Sequence, residues 1–154
     1  MSTFKPRSVE LRGGFRIERP VGEVFPLFSP LGEKRWVPGW SPELLHPPGT
    51  SWARGLIFRT MDVHGEVVWV VTELDPVAHR VEYHRVEPGH YVARVNVACA
   101  AAGDAATDVR VSYAYVGLSD DGNAELAAMG AAAYDEKMRG WKRLIDTCLA
   151  GASA

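Results

Sequence analysis

The chain has 154 residues, 47% of them hydrophobic and 23% charged, with a net charge of −2 and a pI near 6.2. That length and balance suit one globular domain over residues 1–154 with a buried core, and exclude a disordered or fibrous chain. No apolar run reaches membrane-spanning length, no basic block offers a footprint for nucleic acid or anionic lipid, and MSTFKPRSVELRGGF lacks a signal-type apolar core, so a cytoplasmic location is expected.

In chain order, Val9 to Glu18 reads as a first strand, with Val9, Leu11, Phe15 and Ile17 in one phase and Gly13-Gly14 marking a bulge or a close backbone approach. Pro20 suits the first turn of a short helix through Val21, Val24, Phe25 and Phe28, which Pro26 limits; a second short helix follows over Leu31 to Trp36. Pro38, Gly39, Pro42, Pro47, Pro48 and Gly49 make the next stretch a loop, with Glu43 to His46 as a short edge strand. From Ser51 the period is two. Trp52 to Met61, Glu66 to Leu74, Arg80 to Glu87, Tyr91 to Ala100 and Thr107 to Leu118 are strands of an antiparallel meander, parted by His64-Gly65, Asp75-Pro76, Pro88-Gly89 and Gly103-Asp104 turns.

Ser119, Asp120, Asp121 and Asn123 offer N-caps for one long helix reaching about Leu149, before a loose tail at Gly151 to Ala154. Its inward stripe runs Ala127, Gly130, Ala131 and Tyr134, then Met138, Trp141, Ile145 and Cys148. The small residues of its first half either leave room for a cavity or let the helix pack closely on the sheet; both readings stay open.

The order of these elements, and several pieces of their wording, resemble the START-like superfamily, also called SRPBCC or helix-grip proteins. The segment IERPVGEVFPLFSPLGEKRWVPGWSPELLHPPG from Ile17 to Gly49 is similar to that family's strand, proline turn and two small helices closed by a Trp-Xaa-Xaa-Trp-type loop. VVWVVTELDP, RVEYHRVEPGH and TDVRVSYAYVGLSDDG resemble its polyketide cyclase/dehydrase and lipid-transport branch. The resemblance implies an α+β helix-grip fold: a curved antiparallel sheet of about six or seven strands around a long C-terminal helix, with two short helices after the first strand. It implies a ligand cavity without naming the ligand.

The chemistry-bearing residues narrow the classes. His64, His79 and His90 fall in or beside turns, His46 lies in the proline-rich loop and only His84 is within a strand, with no His-Xaa-Xaa-Xaa-His or Cys-Xaa-Xaa-Cys pair; no metal and no cofactor is expected. Cys99 and Cys148 read as free buried thiols rather than a strand-to-helix disulfide. A nucleophile elbow and a phosphate loop are absent, and Ser112 has no implied base. Glu66, Glu73, Glu82 and Glu87 read as solvated, at strand ends or in outward phases.

Period two puts Arg85 on the same face as Val81 and Tyr83, making it the best polar pocket candidate against the alternative of an arginine snorkelling to solvent. Tyr113 and Tyr115 share the apolar face of the last strand with Val109 and Val111, and Trp36 and Trp40 flank a Pro-Gly turn where a lid would sit. With Phe58, Trp69, Tyr83, Ala127, Gly130, Ala131 and Tyr134 these complete the candidate ligand-binding set. The expected function is binding of a hydrophobic or aromatic small molecule, a lipid, polyketide or related metabolite, between sheet and C-terminal helix. The alternatives are a cyclase/aromatase in which Arg85, Tyr83, Tyr113 or His84 acts on carbonyls, and an interaction module of the heat-shock-protein ATPase activator type. Against the last, Arg110, Glu82, Arg94 and Asn96 occupy outward phases. No nucleic acid and no membrane insertion is expected; a homodimer is left open.

Overall fold

The computed structural model describes residues 3–152. Strand β1 (Ser8–Ile17) leads into helix α1 (Val21–Val24), two 3-10 turns at Phe25–Phe28 and Gly32–Arg35, and then β2 (Glu43–His46), β3 (Ile57–Asp62), β4 (Gly65–Asp75), β5 (Arg80–Glu87), β6 (Tyr91–Ala101) and β7 (Thr107–Gly117). Helices α2 (Asp120–Ala128) and α3 (Ala131–Ala152) end the chain. The strands form one antiparallel sheet in the order β1-β7-β6-β5-β4-β3-β2. Strands β2 to β7 are a meander and β1 returns to pair with β7 along its full length, so the sheet curves and α3 lies in its hollow, against β1.

Alternation decides which side chains fill the hollow. On β5 to β7, Val81, Tyr83, Ala93, Val95, Val97, Val109, Val111, Tyr113 and Tyr115 are all buried. Helix α3 contributes Met138, Ile145 and Leu149 from one stripe, and α1 with the turn after it adds Val24, Phe25, Leu27 and Phe28. Each of the larger of these side chains contributes roughly 1.5–3 kcal/mol by leaving water.

Several local expectations are corrected. The third strand begins at Ile57 and not at Trp52; a turn closed by the Leu56 N–H on the Ala53 carbonyl (3.1 Å), with Gly55 at φ +90°, separates Trp52 from the strand, and the Trp52 indole N–H donates to the Tyr83 hydroxyl (3.0 Å). Gly13-Gly14 makes no bulge, since the β1–β7 register is unbroken, but both glycines are close approaches: a Cβ on Gly13 would meet Tyr134 and Met138 at 3.0 and 3.1 Å, and one on Gly14 would meet the Val109 carbonyl at 2.3 Å. The long C-terminal helix is two helices. Met129 takes extended geometry (φ −82°, ψ 110°) and Gly130, the weakest helix former after proline, follows it. The break turns Ala127, Gly130 and Ala131 to solvent, so the expected inward stripe of small residues does not exist. Gly151 and Ala152 continue α3 instead of forming a tail, and Ser153 and Ala154 lie outside the described residues. No helix among the described residues is long and apolar enough to cross a membrane.

Candidate functional site

At the end of the sheet where β3 meets β4, a cleft of about 330 Å³ is lined by Pro38, Gly39, Trp40, Ser41, Thr60, Met61, Asp62, Trp69 and Arg85. Its rim is a Pro-Gly turn. The Trp40 N–H bonds the Val37 carbonyl (3.2 Å), Pro38 fixes the second position and Gly39 supplies φ +72° at the third, the geometry of a type II turn. Trp40 is half-buried and anchored through its indole N–H to the Pro30 carbonyl (2.8 Å), with its ring edge-on to Trp69 at 5.6 Å. Trp69 stacks on Phe58 (5.6 Å, 8°), its direct partner across β3 and β4, and bonds Thr60 Oγ1 through its indole N–H (3.0 Å).

Arg85 forms the polar end of the cleft. Only 9% exposed, its guanidinium lies over the rings of Trp69 and Tyr91 at 5.1 and 5.7 Å, reaches the Tyr91 hydroxyl and Asp62 Oδ2 at 3.4 Å each, and faces Glu87 Oε1 at 3.7 Å. Burial works against its charge, and Tyr91, Tyr113 and Glu87 more than restore it. Two buried atoms of this group have no hydrogen-bond partner among the described residues: Arg85 Nε and Glu87 Oε2. A buried donor and a buried acceptor left open beside a cleft are where a ligand's own polar groups gain most.

Beyond Arg85 the hollow is walled by tyrosines. Tyr91 and Tyr115 meet edge-on at 5.3 Å, and Tyr113 stacks on Tyr115 at 5.5 Å. The hydroxyls of Tyr83 and Tyr134 are committed to the fold, donating to the carbonyls of Phe28 (2.6 Å) and Val111 (2.7 Å). Those of Tyr113 and Tyr115 make no hydrogen bond among the described residues. Burial pushes the Tyr115 hydroxyl up to about 12 and raises Tyr113 and Tyr83 as well, so all remain protonated donors at neutral pH.

The Lys137 ammonium rests on the faces of Tyr113 and Trp141, at 4.1 and 5.5 Å. Burial lowers its pKa, and burial raises the Glu33 carboxyl well above its ordinary range although Lys137 pulls it back. An acid and a base are thus both displaced toward neutrality against one aromatic wall.

Of the residues expected from the sequence, Trp40, Trp69 and Arg85 line the cleft, with Phe58 and Tyr83 packed behind them. Tyr113 and Tyr115 continue the wall inward. Trp36 is deeper, buried with its indole N–H on the Leu27 carbonyl (2.8 Å) and its ring against Phe28 and Trp141. Tyr134 sits under β1 and β7; Ala127, Gly130 and Ala131 are exposed and do not line the cleft. His84 lies on the outer face, bonded to Thr72 Oγ1 (3.1 Å) and beside Glu82, away from the cleft.

Glu87 is not solvated as expected: it continues the phase of Val81, Tyr83 and Arg85 and is only 2% exposed. The same phase rule would have found it, and helical spacing would have found Lys137 between Tyr134 and Trp141. Nothing in the sequence signalled Glu33. Cys99 is buried, its thiol pushed up to about 12, and both cysteines are free.

The outer face carries a wider groove of about 670 Å³ over β1, β7 and β6, rimmed by Arg12, Asn96, Asp108, Arg110 and Ser112. It is open and charged, and Arg16 on β1 closes on Asp108 at 2.8 Å. The outward phases are not uniformly polar either: Val68, Val86, Val92 and Val116 stand in register across β4 to β7.

The family described as "Polyketide cyclase / dehydrase and lipid transport" matches residues 8–146, from the first residue of β1 into the last turns of α3. The chain belongs to this family. As a member of this family it has the helix-grip fold of the START-like superfamily, and solved structures share that fold at low identity. A norcoclaurine synthase point mutant from Thalictrum flavum, in complex with a transition-state analogue, superposes with a TM-score of 0.70 at 10% identity over 99% of this chain and 100% of its own. The di-domain ARO/CYC protein BexL from the BE-7585A biosynthetic pathway gives 0.68 at 19% identity, covering 91% of this chain and 46% of that one. Ginseng major latex-like protein 151 from Panax ginseng gives 0.67 at 15% identity over 91% and 96% of the two chains. No curated protein sequence matches this family member significantly.

Proposed function

We propose that the protein holds a hydrophobic or aromatic small molecule, a lipid, polyketide or related metabolite, in the cleft between Trp40, Trp69 and Arg85. The observation that carries this reading is Arg85: a buried guanidinium against the rings of Trp69 and Tyr91, with Nε lacking a partner among the described residues, at the end of a cleft where Pro38, Trp40, Met61 and Trp69 alternate with Ser41, Thr60 and Asp62. Burial of a ligand's apolar surface against Trp40, Trp69 and Pro38 supplies affinity, and Arg85 orients a carbonyl, carboxylate or phenolate at its inner end. The cleft volume lies in the range that small-molecule sites occupy, about 300–1,000 Å³.

The test is a fluorescence titration with 8-anilinonaphthalene-1-sulfonate, an aromatic anion. Saturable one-to-one binding that is lost in Arg85→Met/Glu87→Gln supports the reading. Binding that is absent, or equal in the two proteins, contradicts it.

A second reading, a cyclase or dehydrase acting in the same hollow, is favoured by Glu33 and Lys137. Their displacement toward neutrality beside the free hydroxyls of Tyr113 and Tyr115 is what proton transfer to and from a carbonyl substrate requires. In that reading Tyr113 or Tyr115 donates to the substrate oxygen, Glu33 gives or takes the proton, and Arg85 holds the far end of the chain.

A further inference from the structure

Three residues far apart in sequence meet at the open end of the sheet, outside the cleft. His64 stands at the tip of the β3–β4 hairpin, His90 in the turn between β5 and β6, and Glu125 on α2. The His64 Nε2 lies 2.6 Å from Glu125 Oε1, His90 Nδ1 lies 3.6 Å from the same oxygen, and the two imidazoles stack at 4.0 Å with their planes 20° apart. All three ligand-capable atoms fall within 4.8 Å of one another.

A hydrogen bond explains His64 and Glu125 alone. It does not explain His90, whose Nδ1 is buried and has no hydrogen-bond partner among the described residues while it points into the same group. Such an atom is ordinarily satisfied by a protein group, water or ion. Two imidazole nitrogens and one carboxylate oxygen are a donor set suited to a zinc-class divalent ion, which completes its coordination with water.

The placement is built. The His90 carbonyl accepts from Leu118 N–H (2.8 Å), Ser119 caps α2 by accepting from Gly122 N–H (3.0 Å), and a Cβ on Gly122 would sit 1.6 Å from that same carbonyl. Only glycine lets α2 come down on the β5–β6 turn this closely, and Glu125, three residues on, then reaches both rings.

We infer that His64, His90 and Glu125 form a binding site for one zinc-class divalent metal ion. Metal–ligand bonds of about 2.0–2.2 Å place neighbouring donor atoms roughly 3.2–3.5 Å apart, so the carboxylate draws back slightly from His64, His90 closes in, and the two stacked rings rotate out of parallel until each nitrogen's in-plane lone pair meets the ion. The ion ties the β3–β4 hairpin to α2. Asp62, which contacts Arg85, is two residues before His64, so the tie also fixes one wall of the cleft entrance. The site does not depend on what the cleft binds.

The test uses the full, tag-free chain, stripped with chelator and titrated with zinc chloride by isothermal calorimetry, with circular dichroism confirming the fold of each variant. One equivalent of zinc is expected, with a rise in melting temperature. His90→Ala and Glu125→Gln should each weaken binding by at least about tenfold, and His64→Ala/His90→Ala should abolish both the uptake and the rise. Wild-type protein that takes up no zinc, or a double variant that takes up as much as wild type, overturns the site and leaves His64 and Glu125 a simple hydrogen-bonded pair.

Discussion

At the scale of single residues the central object is the Arg85–Glu87 pair, both on the inward phase of β5 and both buried. Arg85 was legible because period two ties it to Val81 and Tyr83; what the pattern did not reveal was the stacking between Trp69 and Tyr91, since that depends on how β4 and β6 sit beside β5. Removing one member of a buried ion pair leaves the other charge uncompensated. Arg85→Met should therefore cost about 3–5 kcal/mol in urea unfolding, and adding Glu87→Gln should recover most of that loss without recovering probe binding. Tyr83 belongs to a different class. Its hydroxyl donates to Phe28 O and accepts from Trp52, so Tyr83→Phe should cost roughly 1–3 kcal/mol by orphaning two groups, with affinity for the naphthalene sulfonate unchanged. A variant that keeps its stability but loses binding would move Tyr83 from the scaffold to the site.

At the scale of elements, the strands of the meander were readable because turns and alternation agree, and β5 runs over the residues that its periodicity predicts. The largest departure from the expected elements fell where periodicity had no competitor. Residues 120–149 carry one helical stripe on paper, yet extended geometry at Met129 breaks it, and Gly130 becomes the residue whose carbonyl starts α3 through the Tyr134 N–H (3.0 Å). Gly130 is exposed, and a Cβ there would touch nothing within 4 Å. Gly130→Asp should accordingly act as a better N-cap and place negative charge at the start of α3, raising stability by about 0.3–1 kcal/mol in thermal melts. Probe affinity should stay the same. Marked destabilisation would mean instead that this position faces the hollow, as a continuous helix requires.

At the scale of the whole molecule, strand count, sheet class and the closing helices were legible because they follow from order and period. The joining of Glu33, Lys137, Tyr113 and Trp141 was not, because it requires the second 3-10 turn, Gly32–Arg35, and the face of α3 to meet across the hollow. That meeting has a pH consequence. The unfolded chain releases the Glu33 proton near the ordinary glutamate value of about 4.3, whereas the folded protein holds it to higher pH. Between those limits the native state binds more protons, so this group's contribution falls as pH rises through the window. Glu33→Gln should remove that decline; identical slopes of stability against pH from 4 to 8 in the two proteins would show that Glu33 ionises freely. The claim that organises the molecule is that the Trp40–Trp69–Arg85 cleft holds a small apolar ligand. Native mass spectrometry of the purified wild-type chain beside Arg85→Met/Glu87→Gln tests it most directly. A small-molecule adduct is expected on the wild type, released on denaturation and depleted in the variant, whereas adducts of equal occupancy on both proteins, or on neither, would contradict the assignment.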